Sequence, residues 1–278
     1  VLKPKKSFVF FFYISATIIV GMWLVPFLIT TFTSLKTMNE LMATRTAWAP
    51  PAQIYTGNFR EAWEVSGMQR YFGNTFIITI PSVVGTLLIS SLSAFALAFY
   101  QFRFSRAVLI LFVGGMLIPF QMLLIPVFRF SNQVGLYDTY QGVILFHVAF
   151  QLGFCTFFLR NFMKTIPSSL YESARIDGAR DFTIYRKIVM PLTVPAMAAL
   201  GILQFTWIWN DYLWSLILLQ SDHYKPVTLG LVTLRGQWIA SWNLIAAGSL
   251  IAAIVPLTVF LIFQRYFIEG LTVGAVKG

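Results

Sequence analysis

Charge, cysteine and histidine are all scarce in this chain of 278 residues. Asp and Glu number 10, Lys and Arg 20, and charged residues make up 11% of the sequence. A soluble domain carries roughly 25% charged residues, so the shortfall excludes a water-soluble globule. The one cysteine, Cys155, cannot form an intrachain disulfide, which removes a disulfide scaffold. The two histidines, His147 and His223, have no zinc-ligand spacing, and neither begins a His-Glu-x-x-His pattern. A phosphate-binding loop is missing as well, because Lys6-Ser7, Lys36-Thr37 and Lys164-Thr165 all lack the preceding glycine. The chain is therefore expected to be no enzyme, with any ATP chemistry on a separate chain. Net charge is +10, yet the basic residues lie between long uncharged runs and form no basic face, which argues against nucleic acid.

Apolar residues are what the sequence has instead, at 58%, with 17% aromatic. A run of about 20 apolar residues crosses the hydrocarbon core as a helix, and six such runs are present. They lie between Lys6 and Lys36, Arg70 and Arg103, Arg106 and Arg129, Asp138 and Arg160, from Lys187 to about Gln220 with Asp211 inside, and from near Asn243 to Arg265. The expectation is an all-α polytopic membrane protein with six transmembrane helices, kinked near Pro26, Pro81, Gly114, Gly115, Pro119, Pro126 and Pro256. The first run is too long for a signal-peptide core and lacks a small-residue cleavage site, so it reads as an anchor helix.

Most Lys and Arg (Lys3, Lys5, Lys6, Arg103, Arg106, Arg160, Lys164, Arg175, Arg180, Arg186, Lys187, Arg265 and Lys277) fall on one side if the N-terminus is cytoplasmic. The positive-inside bias thus predicts both termini inside. No internal repeat or linker interrupts the chain, which reads as a single transmembrane domain, 1–278. In the outer loop from Lys36 to Arg70, Asn58 is expected to cap a short helix through Phe59, Ala62 and Trp63.

The cytoplasmic connection 164–195, between the fourth and fifth spans, is the sizeable polar segment on that side. Ser169-Leu170-Tyr171-Glu172 fits a capping box, so a helix should start there. Gly178 suits the left-handed residue that ends a helix, and Asp181 can cap a second helix reaching Ile188, stopped by Pro191 and Pro195. Leu170, Ala174 and Asp177 should share one side.

Glu172-Ser173-Ala174-Arg175-Ile176-Asp177-Gly178-Ala179, followed by Ile188-Val189-Met190-Pro191-Leu192 and Pro195, resembles the EAA loop of ABC importer permeases, in the Asp-Gly-Ala version of carbohydrate importers. Gly135-Leu136-Tyr137-Asp138-Thr139, Trp209-Asn210-Asp211-Tyr212-Leu213-Trp214 and the ending Gly270 to Gly278 extend the resemblance over most of the chain from the second span onward. Ser173 stands where that family's motif usually has Ala, a change that keeps a small residue. The resemblance implies a type I ABC importer permease fold in the bacterial-type inner membrane. It also implies that Glu172, Ser173, Ala174, Asp177, Gly178 and Ala179 form an ATPase-coupling helix. The implied partners are a second, non-identical permease, an ATPase dimer that binds ATP and Mg, an extracytoplasmic sugar-binding protein and a carbohydrate substrate, with no cofactor in this chain. In the outer loop from Ser221 to Ser241, the same resemblance puts Leu234, Arg235, Gly236 and Gln237 near the binding protein; a solvated loop without a partner is the competing reading.

Asp211 is a carboxylate inside an apolar run, a costly placement that usually marks a cavity or a partner. Trp207, Asp211 and Trp214 are spaced to share a helix face, with Asn210 in reach, and aromatic faces beside amide and carboxylate groups suit a sugar. An interfacial aromatic belt, or pairing of Asp211 with a neighbouring subunit, would produce the same pattern. His147 and Gln151, four residues apart, face either the same lumen or an interhelical hydrogen bond. Gln121, between Pro119 and Pro126, belongs to a candidate helix break beside the path. The reading is a permease subunit of an ATP-driven, binding-protein-dependent carbohydrate importer; the alternative is an ion-gradient-driven secondary transporter using Asp211.

Overall fold

The computed structural model describes residues 6–44, 48–65, 67–100, 102–234 and 241–272, and regular structure among them is helical throughout. Helix α1 (Lys6–Ser34) is followed by α2 (Met38–Thr44), by α3 (Gly57–Arg60) running on as a π-turn (Glu61–Val65), and by α4 (Met68–Phe99). Then come α5 (Ser105–Met116), a 3-10 turn (Phe120–Leu123), α6 (Leu124–Gln133) and α7 (Tyr140–Met163). Helices α8 (Ser168–Ile176) and α9 (Asp181–Ile184) lead through a second π-turn (Tyr185–Val189) into α10 (Met190–Trp209). Short helices α11 (Leu213–Leu218) and α12 (Val227–Thr233) precede α13 (Trp242–Thr272).

Five helical stretches, Phe8–Ser34, Met68–Phe99, Tyr140–Met163, Asp181–Trp209 and Trp242–Tyr266, are long and apolar enough to cross a membrane. The expected third span is a broken one: Ser105–Met116 and Phe120–Gln133 meet at a bend of 94°. Its cause is local. The amides of Leu117 and Ile118 turn back to the carbonyls of Gly114 and Gly115, tightening the last turn, and Pro119 is extended (φ −56°, ψ 120°) with no N–H to continue the ladder. With the bent pair as one span the count is six, as the apolar runs require.

Among the described residues the chain divides into two compact units, one from Val1–Gln69 and Gly230–Ala253, the other from Arg70–Leu229 and Ile254–Gly278. In the first unit Asn58 is not the helix cap the sequence suggests. Thr56 occupies that position, and Asn58 is buried at 1% exposure. Its amide donates to the carbonyls of Ser34 (2.8 Å) and Lys36 (2.7 Å), and its oxygen accepts from Asn243 Nδ2 at 2.7 Å. The carbonyls at the end of α1 lack intrahelical donors, so Asn58 satisfies them from a distant part of the chain. Gly248 sits where a Cβ would come within 2.8 Å of Leu231 and 2.9 Å of Met68. Helix α1 is apolar on every side and largely exposed from Phe8 to Leu28, with Phe8 at 66% and Trp23 at 74%, while Thr33 and Ser34 at its end are buried; the exposed part befits a helix whose neighbours are lipid or another chain.

The second unit is built on α4, α7 and α10. Phe95, Cys155, Leu159, Met163, Tyr185, Val189, Ala196 and Leu200 form its main core, and the Cys155 thiol is fully buried there. Toward the other end, α7 starts from a tight turn in which Gly135 and Asp138 both take positive φ, 73° and 55°. Asp is one of the few residues that tolerates this conformation.

Asp138 uses that conformation to clamp the chain after α11. Its amide donates to Leu218 O (2.8 Å), and its carboxylate accepts from the amides of Gln220 (2.8 Å) and Ser221 (3.0 Å) and from the Ser221 hydroxyl. Burial pushes its carboxyl pKa up, but the Ser221 and Gln220 hydrogen bonds and the Lys225 charge outweigh it and hold the pKa below the ordinary 3.8. A depressed carboxylate contributes stability that is full above its unfolded value and is lost as pH falls through the lower, folded one. Amide protection across 218–221, taken relative to intrinsic exchange, is therefore expected to fall below pH 3.8, and Asp138→Asn to remove that pH dependence. Equal pH profiles for the two proteins would mean that the clamp does not depend on the charge.

The same segment is tied further along. Asn74 Nδ2 donates to the carbonyls of His223 (2.7 Å) and Lys225 (2.9 Å), Tyr140 donates to Asn74 Oδ1 (2.6 Å), and the Val227 amide donates to Thr75 Oγ1 (2.8 Å). The first part of the expected outer loop is thus pinned to α4 and α7 rather than merely solvated.

Candidate functional site

The connection 164–195 forms a helix-turn-helix, though not from the cap the sequence suggests. Helix α8 begins at Ser168, one residue before the proposed capping serine. Pro167 takes the cap position without a side-chain bond, because its fixed φ of −56° already sets the entry. The helix ends as expected. Gly178 has φ +80° and its amide donates to Arg175 O, while the Ala179 amide returns to Ala174 O, a left-handed glycine stop.

Asp181 does open the next helix, in its first turn, with Arg180 as the extended residue before it. Pro191 and Pro195 do not stop that helix. Asp181–Trp209 is continuous, because the π-turn Tyr185–Val189 lets the Met190 amide reach back to Tyr185 O. Both prolines then fall inside the continuous stretch, Pro191 directly after the π-turn and Pro195 one turn further on.

Burial divides the coupling residues into two groups. Tyr171 and Ala174 face inward, at 8% exposure each, so the expected side of Leu170, Ala174 and Asp177 is corrected to one of Tyr171 and Ala174. Ala174 packs in the chain's own core and Ala179 packs against it, so both support α8 from behind. Glu172, Ser173, Asp177 and Gly178 are exposed. Two residues that the motif did not single out project furthest among the apolar ones here: Ile176 at 86% exposure and Phe182 at 65%. Exposed apolar side chains on a polar helix were the signal available in the sequence.

Around Asp211 the geometry departs from a single helix face. Helix α10 ends at Trp209, and Asp211 lies beyond it, not inside the span. Its Oδ1 accepts from the Trp214 amide (3.3 Å), and its Oδ2 accepts from the Ser215 amide (2.9 Å) and hydroxyl (2.8 Å). Asp211 thus caps the new helix α11, and its own carbonyl accepts from Thr228 Oγ1 at 2.6 Å. Trp207 and Trp214 consequently end up in different settings. Trp207 is 57% exposed, whereas Trp214 is buried against Phe146, with ring centroids 3.7 Å apart.

The break nonetheless gathers the expected group. Trp207, Asn210, Asp211 and Trp214, with Phe120, Phe150, Tyr212 and Leu213, line a cavity of 230 Å³. That is smaller than the roughly 300–1,000 Å³ of most small-molecule pockets. Asn210 is exposed and its amide donates to Thr206 O. His147 reaches the same place from α7: its Nε2, buried and without a hydrogen bond, lies 3.7 Å from Asp211 Oδ2. This is ion-pair distance, too long for a hydrogen bond.

Gln151 is buried one turn along α7, and Gln121 is exposed on the 3-10 turn after the 94° bend. Neither lines this cavity. A larger cavity of 730 Å³ between the bent pair and α7 is lined by apolar groups and Ser131 alone among polar side chains, so it offers no converging polar contacts. Of the outer candidates, Leu234 is buried at 6%, while Arg235, Gly236 and Gln237 lie outside the described residues, as does the tail beyond Thr272.

Long apolar helices, one bent pair and a structured polar helix-turn-helix define an all-helical polytopic membrane protein. The profile of the family described as "Binding-protein-dependent transport system inner membrane component" matches residues 71–272, and the chain belongs to that family. It is 39% identical over 239 residues to the alpha-glucoside transport system permease protein AglG of Rhizobium meliloti (strain 1021), covering 84% of this chain and 63% of AglG. It is 36% identical over 271 residues to the osmoprotective compounds uptake permease protein GgtD of Synechocystis sp. (strain ATCC 27184 / PCC 6803 / Kazusa), covering 95% of this chain and 91% of GgtD. The fold is that of a bacterial ABC transporter involved in the import of the acidic polysaccharide alginate, with TM-score 0.81 at 23% identity over 96% of this chain and 100% of that one.

Proposed function

We propose that this chain is the permease subunit of an ATP-driven, binding-protein-dependent carbohydrate importer, working as one domain over 1–278 with both termini cytoplasmic. The observation that carries it is the helix-turn-helix of α8 and α9. Its outer surface offers Ile176 and Phe182, and its inner surface is fused to the main core of the second unit. Its partners are an ATPase dimer holding ATP and Mg, a second, non-identical permease and an extracytoplasmic sugar-binding protein. The alpha-glucoside relative and the alginate importer support a carbohydrate as cargo.

In this mechanism closure of the ATPases moves the helix-turn-helix, the spans shift, and the cavity at Asn210 changes the side to which it opens. Asn210, Trp207 and Tyr212 are exposed there and supply amide and aromatic contacts for a sugar. The gradient-driven alternative is disfavoured by the engagement of both Asp211 carboxylate oxygens in the α11 cap.

Purification of the tagged chain from its native host in mild detergent tests the reading. An ATPase and a second permease are expected to co-purify, and Gly178→Asp, which forces a side chain into φ +80°, is expected to lose the ATPase. A chain that purifies alone and transports in vesicles without ATP would overturn it.

A further inference from the structure

We propose that Tyr185 and Ser91 form the directional tie that passes movement of the helix-turn-helix to the second span, with the π-turn as its hinge. The proposal rests on the docking role of α8 given above. Ser91, Phe95 and Phe99 follow one another at four-residue steps and so occupy one face of α4. All three meet the docking element. Phe99 stacks on Tyr171 of α8, with centroids 5.1 Å apart and planes 23° apart. Phe95 packs edge-on against Tyr171 at 6.3 Å and Tyr185 at 5.4 Å. Ser91 Oγ lies 2.7 Å from the Tyr185 hydroxyl.

The aromatic contacts tolerate sliding, because stacked and edge-on arrangements differ little in energy. The hydroxyl pair does not. Ser91 Oγ also lies 2.9 Å from Leu88 O, and the arrangement in which Ser91 donates there and Tyr185 donates to Ser91 satisfies all three oxygens at once. Both residues are buried, Ser91 at 0% and Tyr185 at 8%, so little water is at hand to replace the bond.

Tyr185 also opens the π-turn, and its carbonyl takes the Met190 amide five residues on. Single π-turns within α-helices concentrate at functional positions. Here the next turn contains Pro191, which has no amide to commit, and Thr193 Oγ1 bonds Val189 O at 2.7 Å. The backbone can change register at this point while the Tyr185 side chain stays fixed to α4. Displacement of α8 and α9 is then delivered to the second span as well as along α10.

The test is hydrogen exchange on the assembled transporter in lipid nanodiscs, nucleotide-free and trapped with ATP, Mg and vanadate. In the wild type, trapping is expected to alter exchange in both 168–190 and 68–99. Tyr185→Phe and Ser91→Ala should keep the change in 168–190 and reduce that in 68–99 about fivefold, the factor that one net hydrogen bond supplies. Ser91→Thr should restore it. If both variants keep the wild-type response in 68–99, or if both also lose the response in 168–190, the tie is not the route. No response in 168–190 of the wild type would instead remove the docking role itself, and this proposal with it.

Discussion

Replacing Ile176 with Asp is expected to lower recovery of the ATPase with the tagged chain at least about tenfold, the effect of losing a central apolar anchor. The stability of the chain itself should stay within about 0.5 kcal/mol, as for other exposed positions. Both expectations come from burial. Ile176 is 86% exposed and contributes nothing to the core, whereas Ala174, two residues earlier, is 8% exposed and packs against it. Asp at 174 would bury an unpaired charge and unfold the docking helix, so it could not separate docking from folding. Phe182 is a poorer probe for the same reason, because its ring lies 6.0 Å from that of Tyr185. Quantitative co-purification with a thermal melt of the Ile176→Asp chain decides the matter. Wild-type ATPase recovery would mean that the docking surface lies elsewhere on α8.

Asp211→Ala is expected to destabilise the protein by about 3 kcal/mol, since it strands buried partners at roughly 1–3 kcal/mol each. The groups left behind are the amides of Trp214 and Ser215 and the Ser215 hydroxyl. Asp211→Asn keeps one carbonyl oxygen as an acceptor and should recover part of the loss. The measurement is the thermal midpoint of the purified chain, with amide exchange across 213–218 as the local readout. If Asp211→Ala leaves both unchanged while transport stops, Asp211 acts on cargo or path and the capping role falls.

The membrane class and the count of spans were legible in the sequence because each rests on local composition. A run of about 20 uncharged residues leaves the backbone little choice but a helix in the bilayer. The glycine stop at Gly178 was legible for the same kind of reason: the conformation it adopts, φ +80°, is one that other residues resist. The family resemblance lay in contiguous residues, from Glu172 to Ala179.

What the sequence misjudged were roles set by distant partners. Asn58 looked like a helix cap and is instead a tie among Ser34, Lys36 and Asn243. Helical spacing put Trp207, Asp211 and Trp214 on one face, but that spacing applies only while the helix continues, and it ends at Trp209. The same three residues still line one cavity, because the chain turns there rather than running straight on.

Pro191 and Pro195 looked like stops, yet a π-turn carries the helix into them. The Tyr185–Ser91 contact joins residues 94 positions apart, and nothing local to either residue announces it. Sequence alone therefore determined that this chain crosses a membrane, how often, and where helix α8 ends, since backbone solvation and glycine geometry act within a few residues. Tertiary structure alone decided which face of that helix is outward, what Asp211 holds and which span Tyr185 grips, because burial and hydrogen-bond partners belong to the packed bundle.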